Sequence, residues 1–340
     1  MATTTDRRRF FNVALQGAVG AGAMLSLEEN ILQAALQEPA HKPEQAGHTD
    51  PGEPFPCGKL GKLTISRLIM GGNLIGGYAH SRDLLYVSRL LRAYNTDSKI
   101  FETLALAERC GITMIQLNPG CFDLVERYRK ERGGTIQVMV CVDADPTDPS
   151  KVRDQVQELV GRGAQALYTH GERTDRCVMN GDIDAVGRLV ELIKAAGVPA
   201  GIGSHSLETP IASLRHKLNP DFYVKTLHPD SYWSATPPED REEWCWYKGS
   251  SQDHDRYHDN IFCLDPRKTV DFMQTVEKPW FAFKVMAAGA LSPQIGFNFA
   301  YNNGADFIIA GMFDFQVADD VAIARKSLRR AQNRTRPWRA

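Results

Sequence analysis

The feature that most constrains the fold is a repeat that begins near Leu60 and continues almost to the C-terminus. In each unit a short apolar run, often ending in glycine, asparagine or histidine, precedes a segment with helical spacing. Runs rich in valine, isoleucine, leucine and phenylalanine at successive positions predict strands that are buried on both faces. The eight runs cover residues 66–72, 112–118, 135–144, 164–170, 198–204, 221–228, 279–286 and 306–311.

The segments between the runs have the apolar stripes of amphipathic helices. Residues 98–110 place Ile100, Leu104 and Ala107 on one stripe, and residues 184–196 are patterned in the same way. Eight strand–helix units predict an α/β fold of the (β/α)₈ TIM barrel type, with functional groups at the carboxyl ends of the strands. A doubly wound open sheet is the alternative. No Gly-x-Gly-x-x-Gly follows the first strand, which is evidence against that alternative.

The sequence is predicted to divide into four segments. Residues 1–36 resemble a twin-arginine (Tat) export signal, because three arginines precede Phe10 and a weakly apolar stretch. Residues 37–56 are typical of a linker, residues 57–330 form the barrel, and residues 331–340 form a basic tail that is expected to be solvated. This organisation predicts the Tat export machinery as a partner and the periplasm or cell envelope as the location. An amphipathic N-terminal helix is the alternative for the first segment, and any cleavage site stays open.

Composition excludes several classes of protein. The formal net charge of -1 gives no global field toward nucleic acid. No apolar run reaches the roughly 18 residues of a membrane-spanning helix. Seven cysteines are too few for a disulfide scaffold in a chain of 340 residues. Cys245 and Cys263 flank one long loop, and their spacing alone does not decide whether they pair.

A resemblance to the aldo-keto reductases extends over residues 57–328, and five segments carry it in the family's order. Residues 59–73 are similar to the opening hairpin and first strand, and residues 166–170 to the fourth strand, which ends in the family's active-site histidine. The remaining three segments are residues 201–205, 287–291 and 311–312. The resemblance implies the barrel fold, a nicotinamide cofactor and a role for His170 in binding the substrate oxygen.

The residues that make those proteins reductases do not recur at the matching positions. Residues 116–122 have neither the aspartate nor the tyrosine acid of the family's second strand, and residues 138–143 lack the lysine of the third. Residues 313–315 lack a basic side chain for the 2′-phosphate of NADPH. Without a positioned acid, ketone reduction by hydride loses its proton donor.

Polar side chains at the predicted strand ends suggest a metal centre instead. His170, His205 and His228 follow three successive strands and are predicted to converge at the barrel mouth. Three imidazoles with a carboxylate from Asp143 or Glu172 are ligands typical of Zn, Mn, Co, Ni or Fe. Either carboxylate is alternatively the catalytic base. Each histidine also has a plainer interpretation: a substrate hydrogen bond for the first, a helix cap for the second and orientation of the adjacent loop for the third.

Lys284 is the third predicted catalytic residue. It lies between two apolar residues near the end of a buried strand, where an ammonium group is costly unless it is paired or used. A lysine in such a place serves as a base, as an oxyanion partner or as a Schiff-base former. A salt bridge to Asp143 or Glu172 is the alternative.

Two loops supply the predicted substrate-binding residues. The loop after the sixth strand, residues 229–264, is too long for a connector and rich in aromatic residues, which suit a sugar-like ring. The loop after the first strand is predicted to fold over the mouth, where an arginine would grip a carboxylate or phosphate. The residues are Asn73, Tyr78, Arg82, Trp233, Trp244, Trp246 and Tyr247. The alternative for the tryptophans is that they attach the loop to the barrel rim.

Three functions follow from these patterns. The first is an exported, metal-assisted lyase or isomerase that removes a proton from a sugar-like or keto-sugar substrate. The second is an NADPH-dependent oxidoreductase with rearranged catalytic groups, its acid coming from Tyr78 or elsewhere. The third is a catalytically silent barrel that acts as a binding module in the envelope.

Overall fold

A computed structural model describes residues 54–79, 84, 86–241, 243–244 and 262–340. The predicted signal segment, residues 1–36, lies outside the described residues, as does all of the predicted linker before residue 54. In the part of the chain that is described, no helix is both long enough and apolar enough to cross a bilayer.

Eight parallel strands close into a barrel, in the order β10-β3-β4-β5-β6-β7-β8-β9. The strands are β1 Cys57–Leu60, β2 Leu63–Ser66, β3 Leu68–Gly71, β4 Met114–Leu117, β5 Gln137–Val142, β6 Ala166–Thr169, β7 Ala200–Ser204, β8 Phe222–Thr226, β9 Trp280–Phe283 and β10 Phe307–Ala310. Each barrel strand falls within one of the eight apolar runs, and β1 and β2 form a separate antiparallel hairpin. The TIM barrel is confirmed, and the doubly wound alternative is wrong.

Ten helices surround the barrel in the described ranges. They are α1 Val87–Tyr94, α2 Asp97–Arg109, α3 Phe122–Arg132, α4 Pro149–Gly161, α5 Gly171–Met179, α6 Ile183–Ala195, α7 Glu208–Arg215, α8 Pro266–Gln274, α9 Pro293–Asn302 and α10 Asp314–Arg330. Capping side chains set several starts: Asp148 accepts the Lys151 backbone N–H before α4, and Asp265 accepts that of Lys268 before α8. In both helices proline fills the first turn, where no backbone donor is needed.

The barrel interior is packed with side chains. Met139, Tyr168 and Phe281 belong to the interior cluster, to which the β1–β2 hairpin adds Leu60 and Ile65 at the amino ends of the strands. A second apolar layer lies between the strands and the helices. Because the interior is filled, chemistry is confined to the carboxyl ends of the strands, called here the mouth.

The C-terminal segment differs from the solvated tail expected from its charge. Arg336 is fully buried, and its guanidinium donates to Asp306 Oδ2 at 2.7 Å. Arg334 donates to Oδ1 of the same carboxylate at 3.0 Å. Asp306 immediately precedes β10, so the C-terminal segment is held at the end of the barrel opposite the mouth. The basic run is largely structural, because buried guanidinium groups need acceptors that only folded backbone and carboxylates supply here.

Candidate active site at the barrel mouth

Six of the polar residues considered in the sequence analysis follow barrel strands at the mouth. Each of these residues lies directly after its strand or within two residues of it, which is where TIM-barrel enzymes place their catalytic groups. They are Asn118 after β4, Asp143 after β5, His170 after β6, His205 after β7, His228 after β8 and Lys284 after β9.

His205 is held by a buried carboxylate that the sequence did not indicate. Asp175 lies in α5 with no exposed surface, and its Oδ2 accepts the His205 backbone N–H at 2.7 Å and lies 3.1 Å from Nδ1. Its Oδ1 accepts the Thr209 hydroxyl at 2.7 Å. With the Ser206 backbone N–H, 3.4 Å from Oδ2, four donors converge on this group, which favours the carboxylate form and the neutral Nδ1–H tautomer of His205.

Burial moves both members of this pair toward their neutral forms. It raises the pKa of Asp175 to about 7, although the hydrogen bonds from Thr209 and His205 oppose the rise. Burial, and then the charge of Lys284, lowers the pKa of His205 well below its ordinary value. The imidazole is therefore neutral at neutral pH and held in one orientation.

His170 carries an unused buried nitrogen. Its Nδ1 is buried and has no hydrogen-bond partner among the residues that the structure describes. Burial lowers its pKa to about 4, with the charge of Glu172 acting in the opposite sense. Such an atom is costly unless a ligand supplies the partner, so His170 is suited to bind a polar group of a substrate.

His228 is not a metal ligand, and this part of the predicted centre is wrong. Its Nδ1–H donates to the Pro229 carbonyl at 2.9 Å, and its Nε2 accepts the backbone N–H groups of Phe262 and Cys263, both at 3.0 Å. Both ring nitrogens are used, so neither has a lone pair for a metal. Burial lowers the pKa of His228 to about 4. The side chain instead joins the two ends of the long loop, the plainer of its two sequence interpretations.

The other members of the predicted metal shell also have separate roles. Asp143 accepts a hydrogen bond from Gln155 at 2.5 Å, and the half-buried Glu172 pairs with Arg176 at 3.0 Å within α5. Across the described ranges, no group of three or more histidine, cysteine, aspartate or glutamate side chains is arranged to hold a metal ion. The metal centre predicted from strand registration therefore has no support from the side-chain geometry.

Lys284 lies at the mouth in a strained backbone conformation. Its φ of 56° is left-handed, as are those of Ala287 at 46° and Ala288 at 57° in the same loop. Left-handed backbone costs a non-glycine residue about 1 kcal/mol, and such strain clusters at functional sites. The Lys284 amine lies 4.0 Å from the centre of the Phe262 ring. Burial lowers its pKa to about 7, against the opposing charge of Glu172, so the uncharged amine is well populated at neutral pH.

The predicted substrate-binding residues divide into three groups. Asn73 and Tyr78 follow β3 at the mouth, where burial, and then the charges of Cys121 and Asp143, raises the pKa of Tyr78. Trp233 is 94% exposed, so it forms no wall of the mouth, and Trp244 is half-buried with a left-handed φ of 67°. Arg82, Trp246 and Tyr247 lie outside the described residues.

The long loop itself is described only at its two ends. Cys263 is a buried free thiol whose Sγ–H lies 3.5 Å from the Thr269 hydroxyl. Cys245, its possible partner in the sequence, lies outside the described residues. His228 anchors the loop, because its hydrogen bond to the backbone N–H of Phe262 fixes where the chain returns to the barrel.

A hydrogen-bonded chain runs from the barrel interior to the mouth. Gln116 Nε2 donates to the Tyr168 hydroxyl at 2.7 Å, and the Cys141 thiol donates to Asn118 Oδ1 at 3.3 Å. Burial raises the pKa of Tyr168 well above its ordinary value, with Cys141 adding to the rise. Tyr168 is therefore no replacement for the missing tyrosine acid of a reductase. The hydrogen bond from the Cys141 thiol also holds the Asn118 amide with its oxygen toward Cys141.

Comparison with solved structures shows which known proteins share this architecture. An aldo-keto reductase of Pseudomonas aeruginosa aligns at 16% identity and a TM-score of 0.52, covering 80% of this chain and 94% of that one. The fold is that of the aldo-keto reductases. A Bacillus halodurans aldo-keto reductase in its holo form aligns at 12% identity over 84% and 100% of the two chains, with a TM-score of 0.49. A Bombyx mori aldo-keto reductase in complex with NADP aligns at 12% identity over 82% and 92%, with a TM-score of 0.47. No family model matches the chain, and no curated protein matches it in sequence.

The aldo-keto reductase fold gives no support to a metal-dependent lyase or isomerase. At 16% identity it establishes the architecture and leaves the reaction to be argued from the residues at the mouth.

The start of α10, after the last strand, does not fit the 2′-phosphate of NADPH. Asp314 begins this helix, and its carboxylate accepts the Tyr94 hydroxyl at 2.6 Å and pairs with Lys99 at 3.2 Å. An acidic side chain already occupies the positive end of the helix dipole. Phe313 and Phe315 stack on each other beside it, and Phe315 is exposed. A phosphate here would meet aromatic carbon and the Asp314 carboxylate, which already pairs with the one lysine named here, Lys99.

Proposed function

We propose that the chain is an enzyme that acts on a carbonyl compound at the barrel mouth, as a lyase or isomerase that removes a proton beside the carbonyl. The observation that carries the proposal is Lys284, an amine with a pKa of about 7 at a strand end of an aldo-keto reductase fold. Lysines with lowered pKa values in apolar surroundings are the usual nucleophiles toward carbonyl groups. The reaction needs no metal.

In this proposal the uncharged Lys284 amine attacks the carbonyl carbon and a C–N bond forms. The carbonyl oxygen takes one proton from the amine and one from solvent and leaves as water. The resulting protonated imine draws electrons from the neighbouring C–H bond, which lowers the barrier to removing that proton. The Glu172 carboxylate accepts the proton and leaves a neutral enamine. Returning the proton to the opposite face of the same carbon restores the imine and inverts that carbon, which makes the enzyme an isomerase. Expelling a β-hydroxyl group, which takes the proton from Glu172 and leaves as water, makes the enzyme a lyase. Hydrolysis of the imine restores Lys284.

Two further residues support the amine. Glu172 is the negative charge that opposes the fall in the pKa of Lys284, and it acts in the same way on His170. The buried Nδ1 of His170 has no partner among the described residues, so it suits a substrate hydroxyl or carbonyl oxygen. His205, fixed by Asp175, contributes a neutral imidazole of set orientation at the next strand end.

A sugar-like or keto-sugar substrate is part of this proposal. Such a substrate has the carbonyl and the neighbouring hydroxyl groups that the reaction requires. Among the predicted aromatic residues, Trp244 is half-buried, whereas Trp233 faces solvent. The support therefore comes from the polar groups of the mouth more than from an aromatic wall.

Export by the Tat pathway to the periplasm or cell envelope is also proposed, on the residues of the N-terminal segment alone. Arg8 and Arg9 are the pair that the pathway would read. Replacing both with lysine is expected to leave the protein in the cytoplasm. Export that persists in this double variant would overturn the proposal.

NADPH-dependent carbonyl reduction is the second candidate, and the aldo-keto reductase fold of the neighbours favours it. Tyr78 lies at the mouth and is influenced by the charge of Asp143, as an acid there would be. The Asp314 carboxylate at the start of α10 weighs against the cofactor. This candidate therefore ranks below the lysine-based reaction.

Proton exchange in D₂O tests the two candidates together. Dihydroxyacetone and a panel of keto-sugars are incubated with the protein, and NMR follows the C–H groups beside the carbonyl. We expect deuterium to enter with the wild type and with Glu131→Gln, a matched surface carboxylate that pairs with Arg127. We expect none with Lys284→Ala and little with Glu172→Gln. Oxidation of NADPH on adding the carbonyl, without exchange, supports the reductase. Neither reaction with any substrate supports a silent binding module.

A further inference from the structure

A cavity lies at the end of the barrel opposite the mouth. It has a volume of 220 Å³, and its polar and aromatic lining consists of Arg67, Arg325, Arg329, Gln332 and Trp338. Arg67 immediately precedes β3, and Arg329 lies in the last turn of α10. The cavity is therefore separate from the groups at the carboxyl ends of the strands. Because a water molecule occupies about 30 Å³ in the liquid, this volume admits a small polyatomic ion with several waters.

Arg67 is held in a fixed position at this cavity. Its two terminal nitrogens donate to the backbone carbonyl of Asp306 at 2.8 Å and to an oxygen of Ala340, the last residue of the sequence, at 2.7 Å. Its guanidinium carbon lies 3.9 Å from the centre of the Trp338 ring. These bonds use two of the five N–H donors of the group, so the described structure leaves donors on a side chain that is already ordered. A pre-ordered guanidinium loses little conformational entropy when it binds an anion.

Positive charge exceeds negative charge around this side chain. Arg67, Arg334 and Arg336 surround the carboxylate of Asp306, which pairs with the latter two. Burial lowers the pKa of Arg334 to about 10, and it lowers that of Arg67 against the opposing charge of Asp306. The Arg334 Nε is buried and has no acceptor among the described residues. An anion nearby would offset this imbalance.

We propose that the cavity binds a small oxyanion of the phosphate class, held by the guanidinium groups of Arg67 and Arg329 against the Trp338 ring. Guanidinium groups match the spacing of phosphate oxygens and bind them through paired, charge-assisted hydrogen bonds. Gln332, whose Nε2 donates to the Leu328 carbonyl at 3.0 Å, lines the same wall. Titrations with two ligands distinguish the two sources of the phosphate group, inorganic phosphate and the end of a phosphorylated metabolite.

Arg329 provides the sharpest test, because it is exposed and its neighbour is a matched control. Arg330 is the next residue of α10, is equally exposed, and does not line the cavity. The full chain is titrated with inorganic phosphate and separately with glycerol phosphate by calorimetry at low ionic strength. Sodium chloride at equal ionic strength serves as the blank.

We expect saturable binding of phosphate to the wild type and to Arg330→Glu, and about tenfold weaker binding to Arg329→Glu. Trp338 fluorescence is expected to change on saturation and to be lost in Trp338→Phe, which identifies the cavity directly. Tighter binding of glycerol phosphate points to a phosphorylated metabolite, whereas tighter binding of phosphate points to the free ion. No saturable binding of either, or equal weakening in both glutamate variants, overturns the proposal.

Discussion

Asp175 binds His205 twice through one oxygen: Oδ2 accepts the backbone N–H at 2.7 Å and lies 3.1 Å from the Nδ1 of the same residue. The two contacts fix the imidazole both in position and in tautomer. A third donor, the Thr209 hydroxyl, holds the other oxygen at 2.7 Å. A helix residue therefore determines what a residue at a strand end can do at the mouth.

Asp175→Asn is expected to lower the free energy of unfolding by about 2 kcal/mol, because an amide must turn its NH₂ group toward one set of donors. The pH dependence should change as well. The folded-state pKa of about 7 lies above the ordinary value of 3.8, so the native state binds more protons between these values. Wild-type stability therefore falls as pH rises from about 4 to 7 on account of this group. Urea denaturation across that range should show the loss of this slope in the variant. An unchanged slope would contradict the buried carboxylate.

His205 is expected to remain neutral well below pH 6.5, because burial and Lys284 disfavour its charged form. Nitrogen-15 chemical shifts of the imidazole should report the Nδ1–H tautomer and show no titration between pH 5.5 and 8. The signal of the exposed His216 is followed in the same spectra for comparison. A His205 signal that titrates near pH 6.5 would contradict a buried, neutral His205 beside Asp175.

His228→Phe is expected to destabilise the protein by about 2–4 kcal/mol, because two buried backbone donors, of Phe262 and Cys263, lose their acceptor. His216→Phe, on the surface, should change the free energy of unfolding by less than about 0.5 kcal/mol. The folded-state pKa of about 4 lies below the ordinary 6.5. The stability due to His228 is thus complete above pH 6.5 and is lost as pH falls toward 4. Equal effects of the two variants in urea titrations would show that the hydrogen bonds of His228 to the loop do not contribute to the free energy of unfolding.

Arg336→Met is expected to cost about 3–5 kcal/mol, because it leaves the buried Asp306 carboxylate with only part of its pairing. The side chain also donates to the carbonyls of Met273 and Val276, which would lose their donors. Arg330→Met, on the exposed face of α10, is the control and should be nearly neutral. Thermal denaturation of the two variants compares them directly. A stable Arg336→Met protein would mean that the C-terminal segment is dispensable.

The sequence predicts the barrel well because its signal is local. Each strand lies within one continuous apolar run, and Asp148 and Asp265 start helices where their proline-containing motifs indicate. The roles of the histidines could not be predicted in the same way. The hydrogen-bond partners of His228 lie 34 and 35 residues further along the chain, and no sequence pattern around His228 predicts them.

Charge alone was a poor guide to burial for a related reason. The basic residues after α10 look like a solvated run until Asp306 is placed beside them by the closure of the barrel. Asp175 likewise sits inside an unremarkable helix, and only the fold brings it to His205. Strand-end positions predict which residues can meet at the mouth. Tautomers, partners and pKa values depend on contacts between distant parts of the chain.

Lys284→Met is expected to stabilise the fold at pH 6 while abolishing activity, since an ammonium group is disfavoured at this site. The folded-state pKa of about 7 lies below the ordinary 10.5, so the native state binds fewer protons between these values. Wild-type stability therefore falls as pH is lowered from 10.5 toward 7 on account of this group. Urea denaturation at pH 6 and pH 10 should show the gain at the lower pH only. A variant that is destabilised at pH 6 would mean that the charged lysine is well solvated or paired in the native state.

The most direct test of the central claim is to trap the imine at Lys284. The protein is incubated with dihydroxyacetone and sodium cyanoborohydride at pH 7, and the modified lysines are located by peptide mass spectrometry. The account predicts that Lys284 is modified first, by one reduced adduct, and that the exposed Lys268 is not modified in the same time. In the Lys284→Arg variant, no peptide should gain an adduct as fast as Lys284 does in the wild type. Modification spread evenly over the surface lysines, with Lys284 unmodified, would contradict the account.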